Sequence, residues 1–206
     1  MHYVDRAIHV ATEERDEHTA QHDFSVGYLA EALGQAMNLP EIALVPLREA
    51  GFVHDVGKIG IPDRILLNPG KLDAEEWEII KSHSLRGERI IAAQSNLSRE
   101  KAGAAVEIVK AVRHHHEHYD GSGYPDGLKG DEIPLWARIL LVADCYDALT
   151  QTRVYRPAAS HEETMAIMDA ECGAFSDPKC FEVFARMIET SPLKARPEST
   201  YQSRLP

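Results

Sequence analysis

Apolar residues recur every three or four positions along most of this sequence, a spacing that places them on one face of an α-helix. The pattern is clearest from Val26 to Met37, where Leu29 and Leu33 lie at helical intervals. We find no alternating apolar pattern long enough for a β-strand and no internal repeat. The sequence therefore predicts an all-α fold, a single-domain helical bundle. The predicted helical segments cover about residues 4–11, 26–37, 41–54, 74–92, 98–116, 134–150, 160–172 and 177–190.

Two segments rich in glycine and proline interrupt the helices, and each follows a helix that ends in histidine. Residues 55–71 contain three glycines and two prolines, and residues 120–130 contain four glycines and one proline. Glycine and proline at this frequency are unfavourable in helices and strands, so both segments are predicted to be loops. After the last helix, residues 192–206 form a polar, Pro-containing tail, which leaves residues 1–191 as the domain.

Composition and charge exclude several classes of protein. Of the 206 residues, 44% are hydrophobic and 27% are charged, and no apolar run reaches the roughly 20 residues that span a membrane. The net charge of −11 repels a phosphate backbone, so polymeric nucleic acid is not an expected partner. Cys145, Cys172 and Cys180 lack a metal-binding spacing and are expected to be free thiols. Because the N-terminus carries no export signal, we expect a cytoplasmic protein that contacts no membrane.

Histidine is the residue type whose number and placement need a chemical explanation. The chain has 11 histidines, and four of them lie between positions 114 and 118. Another, His54, ends a predicted helix and is followed at once by Asp55. In addition, Asp144 interrupts an apolar helical run, and a buried carboxylate needs a cation, hydrogen-bond donors or a metal. Neutral imidazole and carboxylate together suit iron, manganese, zinc or nickel rather than calcium.

Each of these features also has a purely structural explanation. A single buried histidine such as His83 is more often hydrogen-bonded in a core than bound to a metal, and a histidine-aspartate pair by itself is weak evidence. At a helix end, however, the carboxylate of the His54–Asp55 pair can bridge two ions, and the pair His115–His116 shares that position. Because these pairs occur together with the glycine-rich loops, the sequence favours a metal site.

The combined pattern resembles the HD-GYP domain, a branch of the HD phosphohydrolase superfamily. The resemblance covers roughly residues 16–190 and is carried by two phrases, HDVGK at 54–58 and HHEHYDGSGYP at 115–125. It implies an all-helical fold of the HD-domain type with a centre of two or three iron ions in its core. It also implies hydrolysis of cyclic di-GMP to linear pGpG and, in many family members, onward to GMP.

Position by position, the resemblance implies a set of metal ligands in which Asp55 bridges two ions. The set comprises His22, His54, Asp55, His83, His115, His116 and Asp144. The expected cofactors are two divalent ions, iron first, with manganese, nickel or zinc as alternatives. Such a pair can generate a bridging hydroxide that attacks the phosphodiester phosphorus.

The resemblance also implies a substrate site around these ligands. It places Lys58 at the scissile phosphate as a catalytic group beside Asp55, and Arg153 and Arg156 at the other phosphates of the substrate. Glycines around Tyr124 permit close backbone approach, so this ring is expected to form a wall beside the guanine bases. Nearby carboxylates are expected to orient ligand histidines through the second ring nitrogen. These carboxylates are Glu117, Asp120 and Asp147.

One departure and several alternatives stay open at this point. His18 stands where family members with three metals carry glutamate, so we expect two ions, with His18 as a candidate extra ligand of an undecided third. The chain could instead be a non-catalytic cyclic-di-GMP sensor, or a module that docks a diguanylate cyclase (GGDEF) domain through the Gly-Tyr-Pro loop. It could also hydrolyse another cyclic dinucleotide. A homodimer is likewise left open.

Overall fold

The structure, a computed structural model, describes residue 4 and residues 6–15, 17–94, 102–152 and 157–195. Within those residues the chain is helical and forms no β-strand, which confirms the all-α prediction. The α-helices are α1 (Arg6–Arg15), α2 (Glu17–Ala36), α3 (Glu41–Phe52), α4 (Asp63–Leu66), α5 (Ala74–Lys81), α6 (His83–Ala92), α7 (Ala102–His114), α8 (Leu135–Thr150), α9 (His161–Ala170) and α10 (Pro178–Thr190). Two short 3-10 helices cover Val56–Gly60 and Gly130–Glu132. None of the described helices has the length and apolar character needed to cross a membrane.

Helix α2 begins at Glu17, well before the predicted segment 26–37, and the other helix boundaries follow the sequence signals with two differences. The predicted helix over 74–92 is divided at Ser82, whose hydroxyl donates to the carbonyl oxygen of Ile79 at 2.6 Å. A serine hydroxyl that binds backbone in this way competes with the regular helical pattern. The second difference lies in the predicted loop over 55–71, which contains the first 3-10 helix and the single turn of α4. Both segments are too short to show a helical period in the sequence.

Helix α8 is the centre of the bundle. It packs against α2, α7, α9 and α10, and its apolar residues Ile139, Leu140, Val142 and Ala143 have no exposed surface. Burial of these side chains is the main stabilising contribution, at roughly 25 cal/mol for each Å² of apolar surface removed from water. As a result, the two acidic residues of this helix, Asp144 and Asp147, extend from a helix that is anchored in the core.

Helices α2 and α3 cross at a pair of glycines, and this crossing positions two of the predicted ligands. A Cβ atom on Gly51 would lie 2.5 Å from the Cα atom of Gly27, so the two backbones touch where neither residue has a side chain. The close approach brings His22, in the second turn of α2, next to His54, which follows α3. Their ring centroids are 5.5 Å apart.

The end of the described chain lies against the bundle. Residues 192–195 belong to the predicted tail, and there Ala195 is buried and its backbone N–H donates to the Tyr146 hydroxyl at 3.0 Å. Leu193 packs on the core as well. The rest of the predicted tail, 196–206, lies outside the described residues.

Candidate metal centre

Three buried histidines have their ring orientation fixed in the same way. The Nδ1 atoms of His54, His83 and His115 lie 2.7, 2.7 and 2.8 Å from the backbone carbonyl oxygen three positions earlier in the chain. A carbonyl oxygen only accepts, so Nδ1 carries the proton and donates it. The lone pair is therefore on Nε2 in all three rings, which is the arrangement of a histidine prepared to bind a metal.

The three Nε2 atoms point towards Asp55. The Nε2 atom of His83 is 3.3 Å from Asp55 Oδ1, that of His115 is 4.0 Å from the same oxygen, and that of His54 is 3.5 Å from Asp55 Oδ2. The Nε2 atoms of His83 and His115 are only 3.2 Å apart. Two lone pairs at this separation repel each other unless a proton or a cation lies with them. The arrangement therefore favours a proton or a bound cation between the Nε2 atoms of these two rings.

The residues around Asp55 form two groups whose donor atoms all lie within 4.8 Å of one another. One group is Asp55, His83, His115 and His116, and the other is His22, Asp23, His54 and Asp55. Asp55 belongs to both groups, so its two carboxylate oxygens can face two ions at once. This is the bridging position that the sequence assigns to Asp55.

His22 connects the second group to α8. Its Nε2 atom is 2.9 Å from Asp144 Oδ1 and its Nδ1 atom is 2.6 Å from Asp147 Oδ2. The amide of Gln151, at the end of α8, donates to the same oxygen of Asp147. Burial works against a charged imidazole, but the hydrogen bonds to Asp144 and Asp147 outweigh it and raise the pKa of His22 to about 10. The two carboxylates therefore favour positive charge at His22, and a metal ion bound there would replace the proton on Nε2.

The other group keeps its imidazoles neutral. Burial lowers the pKa of His83 and lowers that of His115 well below its usual value. Burial and the neighbouring His83 also lower the pKa of His116 to about 3. Burial alone would raise the pKa of Asp55, but Lys58, which donates a hydrogen bond to it, and the surrounding histidines hold that pKa well below normal. Neutral imidazoles and an ionised carboxylate are the forms that bind metals.

Buried polar atoms without a hydrogen-bond partner test whether these residues fit a metal. Among the described residues, both carboxylate oxygens of Asp23, the Nε2 atom of His54 and the Oδ1 atom of Asp55 are buried and have no such partner. Buried polar atoms almost always have a hydrogen-bond partner, so four without one in the same place indicate a site that binds a cation. Oxygen and imidazole donors suit a divalent transition metal, and the residues present therefore fit one.

Tyr124 forms one side of this centre. Its ring lies against the ring of His116, with centroids 4.9 Å apart, and its backbone N–H donates to the carbonyl oxygen of His116 at 3.1 Å. The Tyr124–Pro125 peptide bond is cis. Burial, together with the charges of Asp55 and Asp144, raises the pKa of Tyr124, so its hydroxyl stays protonated. The structure thus places the Tyr124 ring beside His116, one of the predicted ligands.

Glu117 holds the glycine-rich loop rather than a ligand histidine. Its carboxylate is buried and accepts from the backbone N–H groups of Asp126, Gly127 and Leu128 at 2.7, 3.1 and 3.1 Å. Asp120 accepts from the N–H of Ser122 at 2.8 Å, again within the loop. Glu117 and Asp120 were expected to orient ligand histidines through hydrogen bonds. These contacts show that this prediction is wrong. Only Asp147, of the three acids proposed for that task, contacts one, namely His22.

Because the carboxylate of Glu117 satisfies three backbone donors, we expect Glu117→Gln to destabilise the protein by about 1–3 kcal/mol. The amide keeps one acceptor oxygen and brings a donor into a site where only donors face it. Urea denaturation of the variant measures the loss. Glu132→Gln, in the 3-10 helix that follows the loop, is the exposed control and should change stability by less than about 0.5 kcal/mol. Equal stability of the two variants would contradict this account of the loop.

Some predicted residues lie outside what the structure describes. Arg153 and Arg156 fall in the segment 153–156, which is not described, and the side chain of His18 is not described either. One residue in the centre was missed by the sequence reasoning. Asp23 directly follows His22 and so repeats the His-Asp order of His54–Asp55, which is the one signal in the sequence that marks it, although that signal does not predict its burial.

Comparisons with known proteins match this chain to an HD-domain family model and to proteins named as phosphodiesterases of cyclic dinucleotides. A family model described as an HD domain matches residues 7–180. A cyclic di-GMP phosphodiesterase of Thermotoga maritima is 38% identical over 180 residues, which cover 87% of this chain and 47% of the relative. The 3′3′-cGAMP-specific phosphodiesterase 3 of Vibrio cholerae is 33% identical over 178 residues, covering 86% of this chain and 37% of the relative. This chain therefore spans less than half the length of these two relatives.

A solved structure shows the same fold. Bd1817, described as an HDG"Y"P protein from Bdellovibrio bacteriovorus, aligns with a TM-score of 0.64 over 82% of this chain and 52% of its own, at 16% identity. At that identity the likeness concerns the fold alone. The arrangement of the helices is thus shared with a known structure.

Proposed function

This chain belongs to the HD-domain family, as its resemblance to the HD-GYP branch predicts, and we propose that it is a metal-dependent phosphodiesterase that hydrolyses cyclic di-GMP. The first product is linear pGpG, and cleavage of the second bond gives GMP. The observation that carries the proposal is the position of Asp55, which is shared by two four-residue groups of metal-binding side chains. Two adjacent cation sites can supply the hydroxide and the charge neutralisation that promote hydrolysis of a phosphodiester, a poor electrophile.

The proposed cofactors are two divalent ions, with iron as the first choice and manganese, nickel or zinc as alternatives. His83, His115 and His116 would hold one ion, His22, His54 and Asp144 the other, and Asp55 would lie between them. When bound, such ions lower the pKa of water and neutralise charge on phosphoryl oxygens. The donor set supports this choice because imidazole with carboxylate suits these metals better than calcium or magnesium.

Lys58 is proposed to hold the scissile phosphate. Its side chain lies at the rim of the centre, 29% exposed, and donates to Asp55. Burial disfavours the charged amine, but Asp55 outweighs this effect and raises the pKa of Lys58, so the amine stays positive. A fixed positive charge beside the reacting phosphate stabilises the charge that develops there. In a chain with a net charge of −11, an anionic substrate needs such a local cation.

The remaining substrate contacts are assigned by position. Arg153 and Arg156 are proposed to bind the phosphates of the substrate, as the family resemblance implies. Tyr124, packed against His116, offers an aromatic surface at the same edge of the centre. An aromatic ring beside a nucleotide site can stack on any base, so this contact suits any cyclic dinucleotide.

A second substrate has specific support. Among the relatives, those named cyclic di-GMP phosphodiesterases are 36–38% identical, and those named 3′3′-cGAMP-specific phosphodiesterases are 33–38% identical. The two compounds share one guanine nucleotide and the ring of two phosphodiesters, and they differ in the second base. Cyclic di-GMP is the first proposal, and 3′3′-cGAMP is the alternative that the test must separate.

The test is a turnover assay on protein purified without oxygen and loaded in turn with iron, manganese, nickel or zinc. We expect release of pGpG from cyclic di-GMP, loss of turnover with a chelator and recovery on adding metal. Lys58→Ala should retain its metal but lose turnover by about 100-fold or more, whereas Lys71→Ala, an exposed lysine, should match the wild type. Faster cleavage of 3′3′-cGAMP would favour the alternative substrate. Binding of either compound without cleavage, whatever the metal, would indicate a sensor instead.

A further inference from the structure

Asp23 is a buried acid for which the structure shows no hydrogen-bonding role. It lies on α2 directly after His22, is 2% exposed, and both of its carboxylate oxygens are without a hydrogen-bond partner in the part of the chain that the structure describes. We propose that Asp23 is a metal ligand of the centre, in addition to the seven residues assigned from the family resemblance. The inference rests on the metal centre of the proposed function and not on the identity of its substrate.

The other buried acids away from the centre show what a structural carboxylate looks like. Asp177 accepts from Arg138 and from the backbone N–H of Lys179, both at 2.8 Å, and it begins α10. Glu49 accepts from the backbone N–H of Val4 at 2.9 Å. An unpaired buried carboxylate is strongly unfavourable, so each of these acids has donors. Asp23 has none among the described residues, although it is as deeply buried as they are.

The nearest positive or donating groups do not satisfy Asp23. The Nδ1 atom of His54 is 3.6 Å from Asp23 Oδ1, beyond hydrogen-bond distance, and it already donates to a backbone carbonyl at 2.7 Å. Lys58 directs its amine to Asp55. A cation among these side chains would supply what the neighbours do not.

The geometry suits a shared cation. One donor atom from each of His22, Asp23, His54 and Asp55 lies within 4.8 Å of the others. Ligand atoms around a zinc-sized ion are about 2.0–2.2 Å from the metal, so neighbouring ligand atoms stand roughly 3–4 Å apart. Small side-chain movements are therefore enough to close this group on an ion. Asp144, which contacts His22, is not one of the four, so Asp23 is the acid that joins Asp55 in this group.

The experiment compares the wild type with Asp23→Asn, which keeps the shape of the side chain and removes its charge. Both proteins are stripped with a chelator and titrated with Mn²⁺, and bound metal, dissociation constant and melting temperature are recorded. We expect the variant to bind at least one ion about tenfold more weakly or not at all, and to gain less in melting temperature from the metal. Without metal, the variant should melt at the same temperature or higher, because asparagine keeps the volume of a side chain that has no hydrogen-bond partner among the described residues. Asp169→Asn, an exposed acid on α9, is the matched control and should behave as the wild type.

Several outcomes decide the inference. Equal Mn²⁺ stoichiometry and affinity in the wild type and Asp23→Asn would overturn it. A variant that is destabilised without metal and binds Mn²⁺ normally would also overturn it, and would make Asp23 a structural acid. Weaker metal binding in the variant, with no hydrolysis of any cyclic dinucleotide by the wild type, would support the inference and overturn the proposed function alone. A wild type that binds no Mn²⁺, Fe²⁺, Ni²⁺ or Zn²⁺ would overturn both.

Discussion

Replacing Asp55 with asparagine is expected to abolish hydrolysis, with a loss of at least about 1000-fold in turnover. Asp55 is the one residue common to both groups of metal-binding side chains, and the Nε2 atoms of His54, His83 and His115 all lie within 4.0 Å of its carboxylate. Asparagine keeps the volume but has no negative charge and a single oxygen donor. The proposed pair of ions would then lack the carboxylate between them, and Lys58 would lose its ion-pair partner.

Two measurements check this expectation on the same preparation. Metal analysis should show fewer than two ions in Asp55→Asn, and the turnover assay should show no product above background. Asp169→Asn again serves as the control for removal of one charge, since it lies exposed on α9. A variant of Asp55 that keeps two ions and cleaves the substrate at the wild-type rate would show that the bridge has been assigned to the wrong residue.

The sequence predicts the centre well where a ligand lies at a helix end or interrupts an apolar helix. His54 and Asp55 follow α3, His115 and His116 follow α7, and the structure brings all four together. Each position could be found because it combines a local helix signal with a residue type that is costly to bury. The glycine-rich loops after both pairs favour a metal site, and the resemblance to the HD-GYP domain assigns the two pairs to one centre.

Residues that depend on long-range packing could not be predicted in this way. Asp23 lies in an ordinary helical position, and its burial follows from the crossing of α2 and α3 at Gly27 and Gly51, which no local pattern reveals. Glu117 offers a similar case, because its carboxylate is used by backbone N–H groups nine to eleven positions later in the chain. In both cases the surroundings of the carboxylate are set by how the chain folds and not by its immediate neighbours in the sequence.

Substitution of Gly57 by alanine is expected to destabilise the protein by about 3 kcal/mol and to weaken metal binding at the same time. Gly57 lies in the 3-10 helix that follows Asp55, and a Cβ atom there would be 1.8 Å from the carbonyl oxygen of His83 and 2.6 Å from the backbone nitrogen of Gly87. Neither backbone atom can move aside cheaply. The 3-10 helix would have to withdraw from α6, and Asp55 would be drawn away from His83. Urea denaturation with and without Mn²⁺ measures the two effects separately.

Gly103→Ala is the matched control, and it should act in the opposite direction. Gly103 lies in the first turn of α7, and a Cβ atom there would meet no other atom within 4 Å. Alanine in a helix is favoured over glycine by roughly 0.5–1 kcal/mol, so this variant should be slightly more stable and bind metal as the wild type does. If Gly57→Ala were as stable as Gly103→Ala and bound Mn²⁺ equally well, the close contact between the 3-10 helix and α6 could not be what holds Asp55 beside His83. A stability loss in Gly57→Ala without weaker metal binding would show that this contact supports the fold but not the centre.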